Sequence, residues 1–126
     1  NYVSYLESEG FRPTVEDGEV KFKMEGTTFY ITAYDPNVLM VGTWLALEEG
    51  QKCSKELLNM FNDFHFDRAG ERVRVYEGCE TVEIQSVSLL AQPNDWEGII
   101  KTTLTWLSYS SEAFRDMYTA LLDDTE

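Results

Sequence analysis

The single histidine, His65, has the surroundings that come nearest to a chemical site. In Asp63-Phe64-His65-Phe66-Asp67, one carboxylate stands two positions before it and another two positions after it. In an extended chain these three polar side chains would share one face, and an imidazole with two carboxylates suits a divalent metal. The simpler interpretation is a solvated connection between a helix and a strand, with both phenylalanines packed inward. Because no fourth ligand accompanies the three, we predict no bound metal.

Motifs for catalysis or cofactor binding are missing from the sequence. No serine lies in a Gly-x-Ser-x-Gly context, and neither Cys53 nor Cys79 has a base placed beside it. The glycines are scattered at turns and form no phosphate-binding loop. Paired acids such as Glu48-Glu49 stand at the ends of predicted elements, where carboxylates are usually solvated. We therefore predict no catalytic residues, no cofactor and no enzymatic activity.

The two cysteines form neither a zinc pattern nor a Cys-x-x-Cys motif. In a cytosolic protein such thiols stay reduced, so we expect two reduced cysteines and a cytoplasmic location rather than a disulfide. The chain shows no basic segment followed by an apolar one, and no apolar run of the roughly 18 to 20 residues that cross a bilayer. Whether a targeting segment precedes Asn1 stays open.

The charge of the chain is strongly acidic, with 23 acidic residues against 10 basic ones and a net charge of −13. Affinity for nucleic acid comes largely from neutralised phosphates, and anionic membranes also attract basic segments. We therefore expect neither nucleic acid nor a membrane as a partner. A protein partner with a basic patch stays open, although the simpler reason for the charge is solubility.

Two short turns order the strands that carry most of the aromatic residues. Asp17-Gly18 is a strong two-residue hairpin signal that pairs Val15 with Val20, and Glu25-Gly26 is a weaker one that pairs Phe22 with Phe29. A slip of one residue would move every side chain to the other face, so the agreement of the two turns supports this register. One face, the core face, then carries Val15, Val20, Phe22, Met24, Phe29, Ile31 and Ala33. The opposite face, the second face, carries Thr14, Lys21, Lys23, Tyr30, Thr32 and Tyr34.

The run 38–47 is apolar on both faces and reads as a central strand. A three-residue loop, Asp35-Pro36-Asn37, puts Gly42 opposite Tyr30, where a large ring can lie over a bare backbone, whereas a two-residue loop would invert the faces. With the longer loop, Leu39, Val41 and Leu45 lie on the core face. The second face then gathers the candidate protein-binding or dimer surface, Tyr30, Tyr34, Met40 and Trp44. The alternative is that another part of the chain covers these side chains.

The remaining elements complete an α+β domain that spans residues 1–126. Periodicity predicts helices over Tyr2–Glu9, Lys52–Phe64 and Asp95–Leu122, and strands over Arg72–Tyr76 and Thr81–Gln85. Beyond Ser86 the apolar parity changes, which indicates a bulge or a strand end covered on both sides. Asn94 and Glu97 resemble a capping box for the last helix. The two alternatives for this helix are a bend near its threonines and serines and one continuous helix. The predicted order is α-β-β-β-β-α-β-β-α, an antiparallel sheet of about six strands with the helices on one face.

A family resemblance rests on three segments. Tyr5-Leu6-Glu7-Ser8-Glu9-Gly10-Phe11 is followed by a strand that ends in an acid–glycine turn at Glu25-Gly26, and then by Phe29-Tyr30-Ile31. This pattern resembles the YbjN-type family of bacterial sensory transduction regulators, whose fold is similar to that of type III secretion chaperones. The resemblance implies a chaperone-like or regulatory domain that binds proteins, often acidic and dimeric. It implies no catalytic residues.

The leading hypothesis is thus a non-enzymatic domain that binds a protein or peptide, with a homodimer as one possible arrangement. The alternative is a small-ligand carrier or enzyme that uses a pocket between the sheet and the C-terminal helix. A deep pocket ringed by His65 or several carboxylates with shifted pKa values would favour the alternative. A flat aromatic surface would favour the leading hypothesis.

Overall fold

The computed structural model describes residues 1–32, 35–47, 54–66, 71–76 and 79–125, without the side chains of residues 63–66, 75, 124 and 125. These residues form a six-stranded antiparallel sheet and three α-helices in the predicted order. The elements are α1 (Tyr2–Ser8), β1 (Thr14–Glu16), β2 (Glu19–Met24), β3 (Thr27–Thr32), β4 (Val38–Ala46), α2 (Lys55–Phe66), β5 (Glu71–Val75), β6 (Thr81–Leu89) and α3 (Trp96–Thr125). The strands lie in the order β1-β2-β3-β4-β6-β5.

The two predicted hairpin turns have the backbone that their residues favour. Asp17 and Gly18 have φ of 51° and 77°, and Glu25 and Gly26 have φ of 52° and 81°. Positive φ at both central residues is the type I′ geometry, whose twist matches that of the flanking strands. The pairings Val15–Val20 and Phe22–Phe29 are confirmed. One expectation fails, because Val15 lies on the short edge strand and is 66% exposed rather than part of the core.

Strand β4 is central, as predicted. It pairs with β3 on one side, where Tyr30 faces Gly42, and with β6 along its whole length on the other. Leu39, Val41 and Leu45 are buried on the core face. The continuous β4–β6 register runs from Ala46–Thr81 to Val38–Leu89, so β6 contains no bulge at Ser86. The change of apolar parity instead marks a strand end at which Leu89 lies exposed on the second face.

The described helices contribute to one core on the core face. The rings of Phe61 on α2 and Phe114 on α3 stack with centroids 5.8 Å apart. On α1, Leu6 is fully buried, and Tyr2 contacts Trp96 at the start of α3. This packing is the expected consequence of amphipathic helices beside a sheet that is apolar on one face.

Helices α2 and α3 begin at other residues than predicted because polar side chains cap their N-terminal ends elsewhere. Helix α2 begins at Lys55 rather than Lys52, and the Ser54 hydroxyl accepts a hydrogen bond from the Leu57 amide at 3.1 Å. A 3₁₀ turn, Pro93–Asp95, precedes α3, and its capping box joins Gln92 to Asp95 instead of Asn94 to Glu97.

Helix α3 then continues unbroken to Thr125. Its hydroxyl side chains return hydrogen bonds to carbonyls within the helix, as Thr103 does to Ile99 at 2.9 Å and Thr105 to Lys101 at 2.9 Å. Such bonds satisfy the hydroxyl groups without interrupting the helical backbone.

Cys79 is disulfide-bonded, which corrects the expectation of reduced thiols. The other cysteine of the sequence, Cys53, lies outside the described residues. Disulfides persist mainly in oxidising compartments. The cytoplasmic location rested on reduced cysteines, so it stays a prediction without that support. Among the described helices, none has the length and apolarity that crossing a membrane requires.

Candidate functional site on the second face

A stack of two aromatic rings over a glycine lies at the centre of the second face. Tyr30 on β3 lies across Gly42 on β4, and only a hydrogen atom at Gly42 leaves room for the phenol ring. Trp44 stacks on Tyr30 with ring centroids 4.7 Å apart and planes inclined by 26°. As a result Tyr30 is 1% exposed, whereas Trp44 is 37% exposed and forms the outer layer.

A buried carboxylate holds this stack in place. Glu83 on β6 is 3% exposed and pairs across the sheet with Trp44. It accepts hydrogen bonds from the hydroxyl groups of Tyr30 and, at 3.0 Å, Tyr76, while the Arg74 guanidinium lies 3.9 Å away. Burying a carboxylate is costly unless donors surround it, and these groups supply them.

The hydrogen-bond network continues across the sheet through Gln85. Its amide nitrogen donates to the Tyr30 hydroxyl at 2.8 Å and lies 3.7 Å from the sulfur of Met40. Its carbonyl oxygen accepts from the Arg72 guanidinium at 2.9 Å. Side chains from β3, β4, β5 and β6 therefore form one connected group, which fixes the rotamers beneath the exposed Trp44 ring.

The electrostatics of the site keep both tyrosines protonated. Burial, followed by the hydrogen bond to Glu83, raises the pKa of Tyr30 well above its ordinary value. The same two causes raise the pKa of Tyr76, and a hydrogen bond with Trp44 opposes that shift. Both phenols therefore act as donors to the carboxylate, and neither is prepared to act as a base.

Replacing Tyr30 with phenylalanine should lower the free energy of unfolding by about 1 to 3 kcal/mol, because Glu83 stays buried with one donor fewer.

The raised pKa of Tyr30 also makes the stability of the protein depend on pH. Above about pH 10 the unfolded chain loses the phenol proton while the folded chain retains it, so stability falls as the pH rises. Melting temperatures between about pH 9 and pH 11 should fall less steeply in Tyr30→Phe than in wild type. The control Tyr109→Phe, at an exposed ring on α3, should leave the slope unchanged; equal slopes in all three proteins would contradict this role for Tyr30.

The structure brings three of the four predicted surface residues together and gives each a different exposure. Trp44 is exposed, Met40 is half-buried and Tyr30 is covered by its own neighbours. The fourth, Tyr34, lies outside the described residues. Sequence reasoning missed Glu83 and the other polar members of the network. Their only signal in the sequence was strand alternation. It places the side chains of Glu83 and Gln85 on the other face of their strand from Val82 and Ile84, but it does not say which strand pairs with theirs.

The extended backbone assumed for a metal site around His65 is not what the structure describes at Asp63 and His65, and the absence of a metal stays a prediction. The backbone is helical through Phe66, and residues two positions apart on a helix do not share a face. The side chains of Asp63 and His65, and the whole of Asp67, lie outside what the structure describes. Within the described residues, no three His, Cys, Asp or Glu side chains gather as metal ligands.

Cavities border the described sheet. One of about 470 Å³ lies between the N-terminal helix and the first residue of α3; its lining residues include Tyr2, Val20 and Trp96. Another, of about 550 Å³, lies beside β2 and is lined by Gly10, Phe11, Arg12, Thr14, Lys21, Phe22, Lys23 and Thr28.

Comparison with known proteins identifies the fold and nothing finer. No family model matches the sequence, and no curated protein matches it. Among solved structures, the chain is similar to YbjN from E. coli, "a putative transcription regulator", with a TM-score of 0.61 and 10% sequence identity. The similarity covers 93% of this chain and 84% of that one. Together with the strand order and helix positions described above, it shows that this chain has a YbjN-like fold.

Proposed function

We propose that the chain is a non-enzymatic, regulatory domain that binds a protein or peptide through the second face of its sheet. The observation that carries the proposal is the Trp44 ring, which is 37% exposed and stacked on a fully buried tyrosine. Of the described helices, α1, α2 and α3 all contribute to the core on the other face. YbjN, which has the same fold, is described as a regulator, and this is compatible with a binding role.

The rigidity of the site supports binding. Binding is weakened when a flexible side chain must be ordered as the partner binds. A side chain that is already ordered in the free protein therefore gives a higher affinity. Hydrogen bonds among Tyr30, Glu83 and Gln85 hold the layer beneath Trp44, and the indole itself is a type of side chain enriched in binding hot spots. Met40 lies beside this group and supplies an adaptable apolar contact.

Photo-crosslinking at single positions tests the proposal. A benzoylphenylalanine at Thr28, exposed on the second face beside the cations of β2, should capture partners from native lysate. The same group at Thr105, exposed on α3, serves as the matched control. Adding Trp44→Ser should abolish the products formed at position 28 and leave any different, background products at position 105 unchanged. If the products at position 28 persist without the indole, or if the same products form at position 105, the assignment of this face is overturned.

Self-association through the second face stays a prediction. Since Tyr30 is covered by its own chain, a second copy would bury less apolar area than the sequence suggested, and a lasting interface needs about 800 Å² per subunit. We therefore expect a weak dimer that strengthens with added salt, because salt screens the repulsion between two acidic chains. Sedimentation at several concentrations and two salt levels measures this. A monomer throughout, with an unchanged profile for Trp44→Ser, would contradict it.

A further inference from the structure

The charges of the described strands are sorted between the two faces of the sheet. Four basic residues lie in these strands, and all four are on the second face: Lys21, Lys23, Arg72 and Arg74. Three acidic residues share that face: Glu16, Glu19 and Glu83. The whole chain has 23 acids against 10 bases. The second face therefore carries a balance of charge opposite to that of the rest of the molecule.

The cations bracket the aromatic centre in two parallel rows. The register places Lys21, Tyr30, Gly42, Gln85 and Arg72 in one line across the sheet. The neighbouring line begins with Lys23 on β2, passes through Trp44 and Glu83, and ends at Arg74 on β5. Each row thus has a lysine at one end, an arginine at the other and the aromatic stack between them.

The acids on this face engage two of the four cations, Lys21 and Arg74, and leave Lys23 and Arg72 for a partner, while Glu19 is half-buried at the start of β2. Glu83 is buried and surrounded by two phenol donors and the Arg74 guanidinium, so it presents no free carboxylate to a partner. Glu16 lies 3.4 Å from the Lys21 ammonium and forms an ion pair with it at the β2 side. Lys23 and Arg72 are both exposed, and beside Lys23 the cavity of about 550 Å³ adds Arg12 to the basic side.

Resting on the proposed function, we infer that the second face binds an acidic peptide segment that crosses the strands. Neighbouring strands are about 4.8 Å apart, so the lysines on β2 and the arginines on β5 are separated by four spacings, or about 19 Å. An extended peptide covers that distance in about six residues. Strand β4, with Trp44, lies halfway. The segment therefore has two Asp or Glu residues about six positions apart. Alternate residues of an extended chain share a face, so the apolar or aromatic residue that reaches Trp44 lies two or four positions after the first acid.

Selection from a random peptide library displayed on phage tests this inference, with the intact chain immobilised. Wild type should enrich peptides that carry an acid at positions 1 and 7 and an apolar or aromatic residue at position 3 or 5. The variant Lys23→Glu/Arg72→Glu should lose these peptides and enrich peptides that carry Lys or Arg at the two outer positions. The control Lys55→Glu/Lys101→Glu makes the same change in net charge at exposed helix positions and should retain the wild-type pattern. Thermal melting checks that each variant folds, and the neutral pair Lys23→Gln/Arg72→Gln replaces the reversed one if it does not.

A synthetic peptide with the enriched pattern should then bind the variant Lys23→Glu/Arg72→Glu at least about tenfold more weakly than it binds wild type. Its affinity for wild type should fall at high salt. Enriched peptides without acids, or acidic peptides retained by the reversed variant, would overturn the inference and leave the proposed function standing. A library that yields no enrichment would count against this inference, while the crosslinking at Thr28 still judges the proposed function. A single-stranded oligonucleotide that binds wild type and is lost in the reversed variant would instead assign the face to nucleic acid.

Discussion

Replacing Phe22 with aspartate is expected to leave the chain unfolded at room temperature. The Phe22 ring is 3% exposed and lies between Phe11, with centroids 5.4 Å apart, and Phe29, with centroids 6.0 Å apart. Removing a buried phenylalanine costs about 3 to 5 kcal/mol, and the new carboxylate would have no donor in that layer. The total approaches the roughly 5 to 15 kcal/mol that holds a typical domain folded. Circular dichroism should show no cooperative melting transition.

The adjacent residue provides the matched control for this substitution. Lys23 is on the same strand but points to the second face and is exposed. Lys23→Asp should change the free energy of unfolding by no more than about 0.5 kcal/mol, as surface substitutions usually do. A Lys23→Asp variant that unfolds while Phe22→Asp melts like wild type would mean that β2 has the opposite orientation in solution. The same result would therefore remove Lys23 from the second face, on which the inferred peptide site depends.

Replacing Gly42 with alanine should destabilise the protein by about 2 to 5 kcal/mol, since overpacking and a lost buried hydrogen bond both contribute. A Cβ atom at this position would lie 2.5 Å from Cζ and 2.8 Å from Cε1 of Tyr30. The ring would have to move, and its hydroxyl would leave Glu83 without one of its donors. Chemical denaturation should show a lower midpoint with an unchanged slope, because the surface exposed on unfolding stays the same.

Gly98 on α3 is the control for the glycine substitution. A Cβ there would meet nothing within 4 Å, and alanine favours a helix by about 1 kcal/mol over glycine. Gly98→Ala should therefore stabilise the protein. The pair Gly42→Ala and Tyr30→Ala should be strongly non-additive, because removing the ring also removes the collision. Strict additivity would contradict the close approach of Tyr30 to this backbone.

The sequence by itself determined the part of the fold that depends on neighbouring residues. Each type I′ turn needs two residues that tolerate positive φ, and Asp17-Gly18 and Glu25-Gly26 meet that need. Once the turns are set, the two-residue period of a strand decides which side chains face the core. The Gly42–Tyr30 pair followed from the same reasoning through one more turn. For this reason the register from β1 to β4 and the positions of Tyr30, Met40 and Trp44 were predictable.

The tertiary structure decided which distant strand completes the site. Glu83 lies 53 residues from Tyr30 and could have faced any strand that packing allowed. Its position depends on the pairing of β4 with β6, which no turn imposes and which the burial of the whole core selects. That pairing supplies the donor-rich surroundings of Glu83, the burial of Tyr30 and the row of arginines opposite the lysines. The sequence thus indicated an aromatic surface, and only the tertiary structure made it a rigid one flanked by cations.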